Sequence, residues 1–195
     1  MKRHRLQLLA AIALLGATPA LAEPDYAPAV RADYQRDLGA LFDHFHRNPE
    51  LSFKETATAA RMAKELRAIP GIAVTEKVGG TGVVGVMRNG PGPVVLVRAD
   101  MDGLPVEEKS GLANASKAMV GTARRLAALK DRWKGTILFI VQPAEERLGG
   151  ARKMIEDGLY TRFPKPQYAL AFHVGSEFAT GKVSASEGIQ YSSAD

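Results

Sequence analysis

The chain has 195 residues, no cysteine, 46% apolar and 24% charged residues, and 26 basic against 21 acidic side chains for a formal charge of +5. That is ordinary globular composition, which excludes a disordered or collagen-like chain, and the length allows one domain that folds without covalent staples. With no cysteine, disulfides, iron–sulfur clusters, cysteine-ligated zinc and thiol catalysis are excluded within this chain.

Lys2, Arg3 and Arg5 form a basic head, Leu6 to Ala17 an apolar run, and Ala20-Leu21-Ala22 a small-residue end. This pattern predicts a secretory signal peptide over 1–22 and export to the periplasm or beyond. The run is too short to span a bilayer, so no stable membrane insertion is expected after cleavage. A membrane anchor or a buried first helix are the other readings. Without those three basic residues, 23 basic face 21 acidic side chains, a charge of +2. No basic stripe with interleaved aromatics points to nucleic acid.

Val30 to Arg47 carries Tyr34, Leu38, Leu41, Phe42 and Phe45 at helical spacing, and Asn48-Pro49 ends it. Ser52 with Glu55 three residues on reads as a capping box for a helix that continues to Pro70-Gly71. Ile72 to Val78 alternates, Gly79-Gly80-Thr81-Gly82 makes a turn, and Val83 to Met87 and Val94 to Val97 are β-rich. Ala118 to Lys130 reads as a helix. Thr136 to Val141 is a strand buried on both faces, Gly150 to Asp157 a short helix, and Tyr168 to Val174 a second buried strand. The order predicts an α/β domain over 23–195, a mixed β-sheet with helices on both faces.

Three segments follow predicted strands, where open α/β sheets place ligands. Asp100 and Asp102, two apart on an extended segment, point the same way and can share a cation or orient a ligand; a solvated acid pair is the plain alternative. Glu145 and Glu146 diverge, so one can bind a metal while the other serves as a base, unless they are an ordinary surface pair. His173 closes an apolar strand and is either a core histidine or a metal ligand.

Together these segments resemble a known family. The matching stretches are His46-Arg47-Asn48-Pro49-Glu50-Leu51-Ser52-Phe53-Lys54-Glu55, Gly79-Gly80-Thr81-Gly82, Val97-Arg98-Ala99-Asp100-Met101-Asp102-Gly103-Leu104-Pro105-Val106-Glu107-Glu108, Gln142-Pro143-Ala144-Glu145-Glu146 and Phe172-His173-Val174-Gly175. They are similar to the metallo-amidohydrolases that include hippurate hydrolase, N-acyl-amino-acid amidohydrolases and indole-acetyl-amino-acid hydrolases, within the aminoacylase/carboxypeptidase group of dinuclear zinc peptidases. The resemblance implies that Glu145 is the general base, that Glu146 and His173 bind metal, and that Asp100 and Asp102 orient the centre from behind. It implies two divalent ions per site, zinc or manganese, and hydrolysis of an N-acyl amino acid or short peptide.

The sequence departs from the family in two places. The family's His-Ala-Cys-Gly-His-Asp segment, which supplies metal ligands, is missing where Gly111 to Lys117 joins Ala118. Asp195 falls where the family continues into a lid and dimerisation domain, so dimerisation is left open. These departures lead to the expectation that the chain is an impaired hydrolase. The competing reading is a non-catalytic remnant or binding module without a complete metal site.

Overall fold

The computed structural model describes residues 24–103, 116–171, 173, 179 and 182–184. The proposed leader, the junction at 111–115 and the final residues lie outside them.

The first helical stretch is longer than its apolar pattern predicts. Helix α1 (Ala27–Asp33) runs through a π-helical turn (Tyr34–Leu38) into α2 (Gly39–Arg47). Leu38, Leu41 and Phe45 are its buried stripe. Helix α3 (Thr56–Arg67) follows, then β1 (Ile72–Val78), β2 (Gly82–Asn89) and β3 (Val94–Asp100). Helix α4 (Ser116–Ala128), β4 (Gly135–Gln142), α5 (Gly150–Glu156), α6 (Leu159–Arg162) and β5 (Tyr168–Ala171) complete the order. Among the described residues no helix is long and apolar enough to cross a membrane.

The capping box is not what starts α3. No side chain caps the helix from Glu55. Instead the Glu50 carboxylate accepts from Ala57 N at 3.1 Å and Thr58 N at 2.6 Å. Ser52 and Glu55 are turned toward other parts of the fold, described below.

The five strands form one mixed sheet in the order β1-β2-β4-β3-β5. β1 and β2 pair antiparallel, as do β2 and β4, whereas β3 runs parallel to both β4 and β5. Alternation along the strands splits the core in two. Val83 and Met87 of β2 and Ile137, Phe139 and Val141 of β4 face a layer built with Leu41, Met62, Leu66 and Val120 from the helices. Val84, Val86, Leu138 and Ile140 face Met154 and Leu159 on the other side. Helices therefore cover both faces, as the α/β reading requires.

A second expectation fails: the apolar run from Tyr168 predicts a buried strand, yet Tyr168 is 64% and Leu170 56% exposed. β5 lies at one edge of the sheet and, among the described residues, pairs only with β3. An apolar run shows a capacity for burial and says nothing about whether a layer covers it.

Candidate metal centre

Because β3, β4 and β5 are parallel, their C-terminal ends share one edge of the sheet, where backbone dipoles and emerging loops form ligand sites. Asp100 is the last residue of β3 and sits opposite Gln142, the last of β4. His173 lies two residues beyond β5. A carboxylate oxygen of Asp100, one of Glu145 and a ring nitrogen of His173 all lie within 4.8 Å of one another.

Arg98 is the cation in this group. Its Nε donates to Gln142 Oε1 at 3.0 Å, its Nη1 donates to Asp100 Oδ2 at 3.0 Å, and its Nη2 lies 3.8 Å from Glu145 Oε1. The guanidinium therefore links the ends of β3 and β4 and aligns two of the carboxylates. His173 Nε2 is 3.9 Å from the same Glu145 oxygen, and its side chain is 66% exposed.

Asp102 is buried and does different work from Asp100. Its Oδ1 accepts from Glu145 N at 2.9 Å, and its Oδ2 accepts from Glu146 N at 3.2 Å and Ser52 Oγ at 2.7 Å. It fixes the main chain from which both glutamates leave. The Glu146 carboxyl titrates above the ordinary value, first through loss of hydration, then through repulsion by Glu145, Asp102 and Asp100, with His173 opposing.

The turn after β4 is tightly built. Ala144 is buried in the left-handed region with φ 46°. Its carbonyl accepts from Gly149 N at 3.3 Å and Gly150 N at 3.2 Å, and Leu148 N donates to Glu145 O at 2.9 Å. A Cβ on Gly150 would collide with the Pro143 carbonyl, so only glycine lets the chain close here. Ala144 N donates to Glu55 Oε1 at 2.7 Å.

The residues singled out in sequence thus meet in space, with Asp100 beside Glu145 and His173 and with Asp102 behind them. Glu146 joins them electrostatically. Ser52, Glu55, Arg98 and Gln142 also reach the site. All four lie in the matching stretches, but in sequence Ser52 and Glu55 read as a helix start and nothing local marks Arg98 or Gln142. Glu107, Glu108, Phe172, Val174 and Gly175 lie outside the described residues.

The donor set fits a divalent cation. Carboxylate oxygens and an imidazole nitrogen suit zinc or manganese, and their spacing lets one ion reach Asp100, Glu145 and His173 together. Arg98 pairs with Asp100 at 3.0 Å and lies 3.8 Å from Glu145, while Glu146 is repelled by Glu145, Asp102 and Asp100.

Residues 96–188 match the family described as Peptidase family M20/M25/M40. The chain is 42% identical over 155 residues to thermostable carboxypeptidase 2 of Saccharolobus solfataricus, covering 70% of this chain and 38% of that protein. It is 36% identical over 157 residues to the hippurate hydrolase of Campylobacter jejuni, covering 72% and 40% respectively. Among solved structures, the YxeP protein of Bacillus subtilis is described as a dinuclear metal binding peptidase from the M20 family. It superposes with a TM-score of 0.56 at 31% identity, over 68% of this chain and 40% of that one. The chain spans about two fifths of the length of the curated relatives it matches.

Proposed function

We propose that this chain, which resembles the M20/M25/M40 peptidases over its sheet and site segments, carries part of a divalent-metal amidohydrolase centre for N-acyl amino acids or short peptides. One observation carries the proposal: Asp100, Glu145 and His173 converge at the C-terminal edge of three parallel strands. The printed activity of the hippurate hydrolase relative supports the substrate class.

In this reading His173 and Glu146 hold the ion, with Asp100 beside them. The bound ion would supply Lewis-acid polarisation of the substrate carbonyl and of water. Glu145 accepts a proton from the attacking water on its carboxylate and returns it to the departing amine nitrogen. Asp102 holds the Glu145 and Glu146 amides, so the two carboxylates diverge from a fixed base. Arg98, 3.8 Å from Glu145 Oε1, helps to orient that carboxylate.

Because the chain lacks the Cys- and His-bearing segment of the family, we propose that it binds metal weakly and turns over amides negligibly. Catalytic zinc sites ordinarily use three protein ligands and a water. The composition of 1–22 supports export as the accompanying proposal for location.

A second reading follows from the donor spacing: Asp100, Glu145 and His173 could themselves be the ligand set, giving a binding site without a free base. Glu145→Gln separates the two. Full-length chain is titrated with zinc and with manganese by calorimetry and assayed on hippurate. If Glu145 is the base, the variant keeps the wild-type metal affinity. If Glu145 is a ligand, metal affinity falls with it. Robust wild-type hydrolysis abolished by Glu145→Gln would support the base role and overturn the proposed impairment.

A further inference from the structure

We infer that Glu55 is a positioning residue: its buried carboxylate sets the direction in which Glu145 leaves the end of β4. The inference rests on the reading of Glu145 given above.

Glu55 is fully buried. Its oxygens join three separate segments: Oε1 accepts from Phe53 N at 2.9 Å and from Ala144 N at 2.7 Å, and Oε2 accepts from Thr81 Oγ1 at 2.7 Å. Among the described residues no cation pairs with it. A carboxylate is costly to bury without such partners, and helix α3 does not need it, because Glu50 already receives the first free amides. What Glu55 does is hold Ala144.

Ala144 occupies a conformation that residues other than glycine rarely adopt. It stays there because it is gripped at both ends, by Glu55 on its amide and by the Gly149 and Gly150 amides on its carbonyl. The next two amides, of Glu145 and Glu146, go to Asp102. Three successive N–H groups are thus received by two carboxylates from different parts of the chain. Without Glu55, the Ala144 amide has no acceptor and the residue relaxes toward a right-handed or extended conformation. The Ala144–Glu145 peptide then rotates, and the Glu145 carboxylate swings away from Asp100 and His173. Glutamine at 55 keeps a carbonyl for the two amides and an NH2 for the Thr81 hydroxyl, so the carboxamide is expected to substitute.

The test uses the full chain as wild type, Glu55→Ala, Glu55→Gln and, as a remote control, Asn89→Ala, which removes bonds to the Lys130 and Trp133 carbonyls. The readouts are a cobalt(II) titration followed by visible absorption, and deuterium uptake of the peptide spanning 142–149. Glu55→Ala is expected to speed exchange across 142–149 and, because Glu146 leaves the same turn as Glu145, to weaken cobalt binding by about tenfold or more, as for other residues that hold ligands in place. Glu55→Gln should stay close to wild type on both. Asn89→Ala should lower Tm and leave both readouts unchanged. If Glu55→Ala does not fold, Glu55→Asp, one methylene shorter and still charged, carries the same expectation. A folded Glu55→Ala or Glu55→Asp with unchanged exchange and cobalt binding overturns the inference, and so does an equal effect of Asn89→Ala. If wild type takes up no cobalt, the metal reading falls while the exchange arm still decides the role of Glu55.

Discussion

At the residue scale, two acids spaced two apart end in different roles. The sequence shows that Asp100 and Asp102 emerge on one side. It does not show that Asp100 meets Arg98 while Asp102 collects the Glu145 and Glu146 amides. Arg98 is only two positions from Asp100, but the amides that Asp102 collects lie more than 40 positions away, which no local pattern contains. Ser52 and Glu55 were misread for the same reason. Their spacing satisfies a local rule, but their bonds go to Asp102, Ala144 and Thr81. Glu146 yields a prediction. Its carboxyl is raised above 4.5, first by loss of hydration and then by its acidic neighbours. A carboxyl whose folded pKa is raised binds protons more tightly when folded, so its charge destabilises the fold above that raised value. The penalty is relieved as the pH falls through the raised value, and is gone below the ordinary 4.5. Glu146→Gln is therefore expected to raise the metal-free Tm at pH near 7, with the gain shrinking to nothing in acid. Thermal melts across the acidic range check it.

At the element scale, helices and strands were legible where periodicity is long and the burying layer is present. β2 and β4 read correctly because both faces carry apolar residues that meet helices. The π-helical turn at Tyr34–Leu38 was invisible, since one extra residue in a turn leaves the apolar spacing nearly intact. Helix α3 starts at Thr56, and its first free amides go to Glu50 rather than to Ser52. Burial pushes the Glu50 carboxyl up, but the amides of Thr58 and Ala57 more than offset it and hold it below 4.5. A lowered pKa means stability that is full above the ordinary value and lost as the pH falls through the folded one. Glu50→Ala is expected to cost about 1 kcal/mol, the usual worth of a cap, and roughly 2–4 °C in Tm for a domain of this size. The deficit against wild type should close in acid, as denaturation at neutral and acid pH would measure.

At the scale of the whole molecule, three parallel strands gather residues separated by more than seventy positions, from Asp100 to His173. The order of the motifs was legible because each follows a strand, but which carboxylates share a cation was not, because that depends on strand order and on Arg98. If the centre binds an ion only in the folded state, saturating metal must stabilise the fold. At a hundredfold excess over Kd the gain is about 2.7 kcal/mol, or roughly 5–10 °C. Chelator should reverse it and His173→Ala should abolish it, both readable by differential scanning fluorimetry with zinc and manganese. The exposed edge at β5 bears on how the protein behaves in the tube. Tyr168 and Leu170 present apolar side chains on a strand that, among the described residues, is paired on one side only, and such a margin invites a like strand from a neighbour. Light scattering by concentrated protein is expected to rise with time. Leu170→Lys, which places a charge on that margin, should keep the solution clear without altering the far-ultraviolet spectrum.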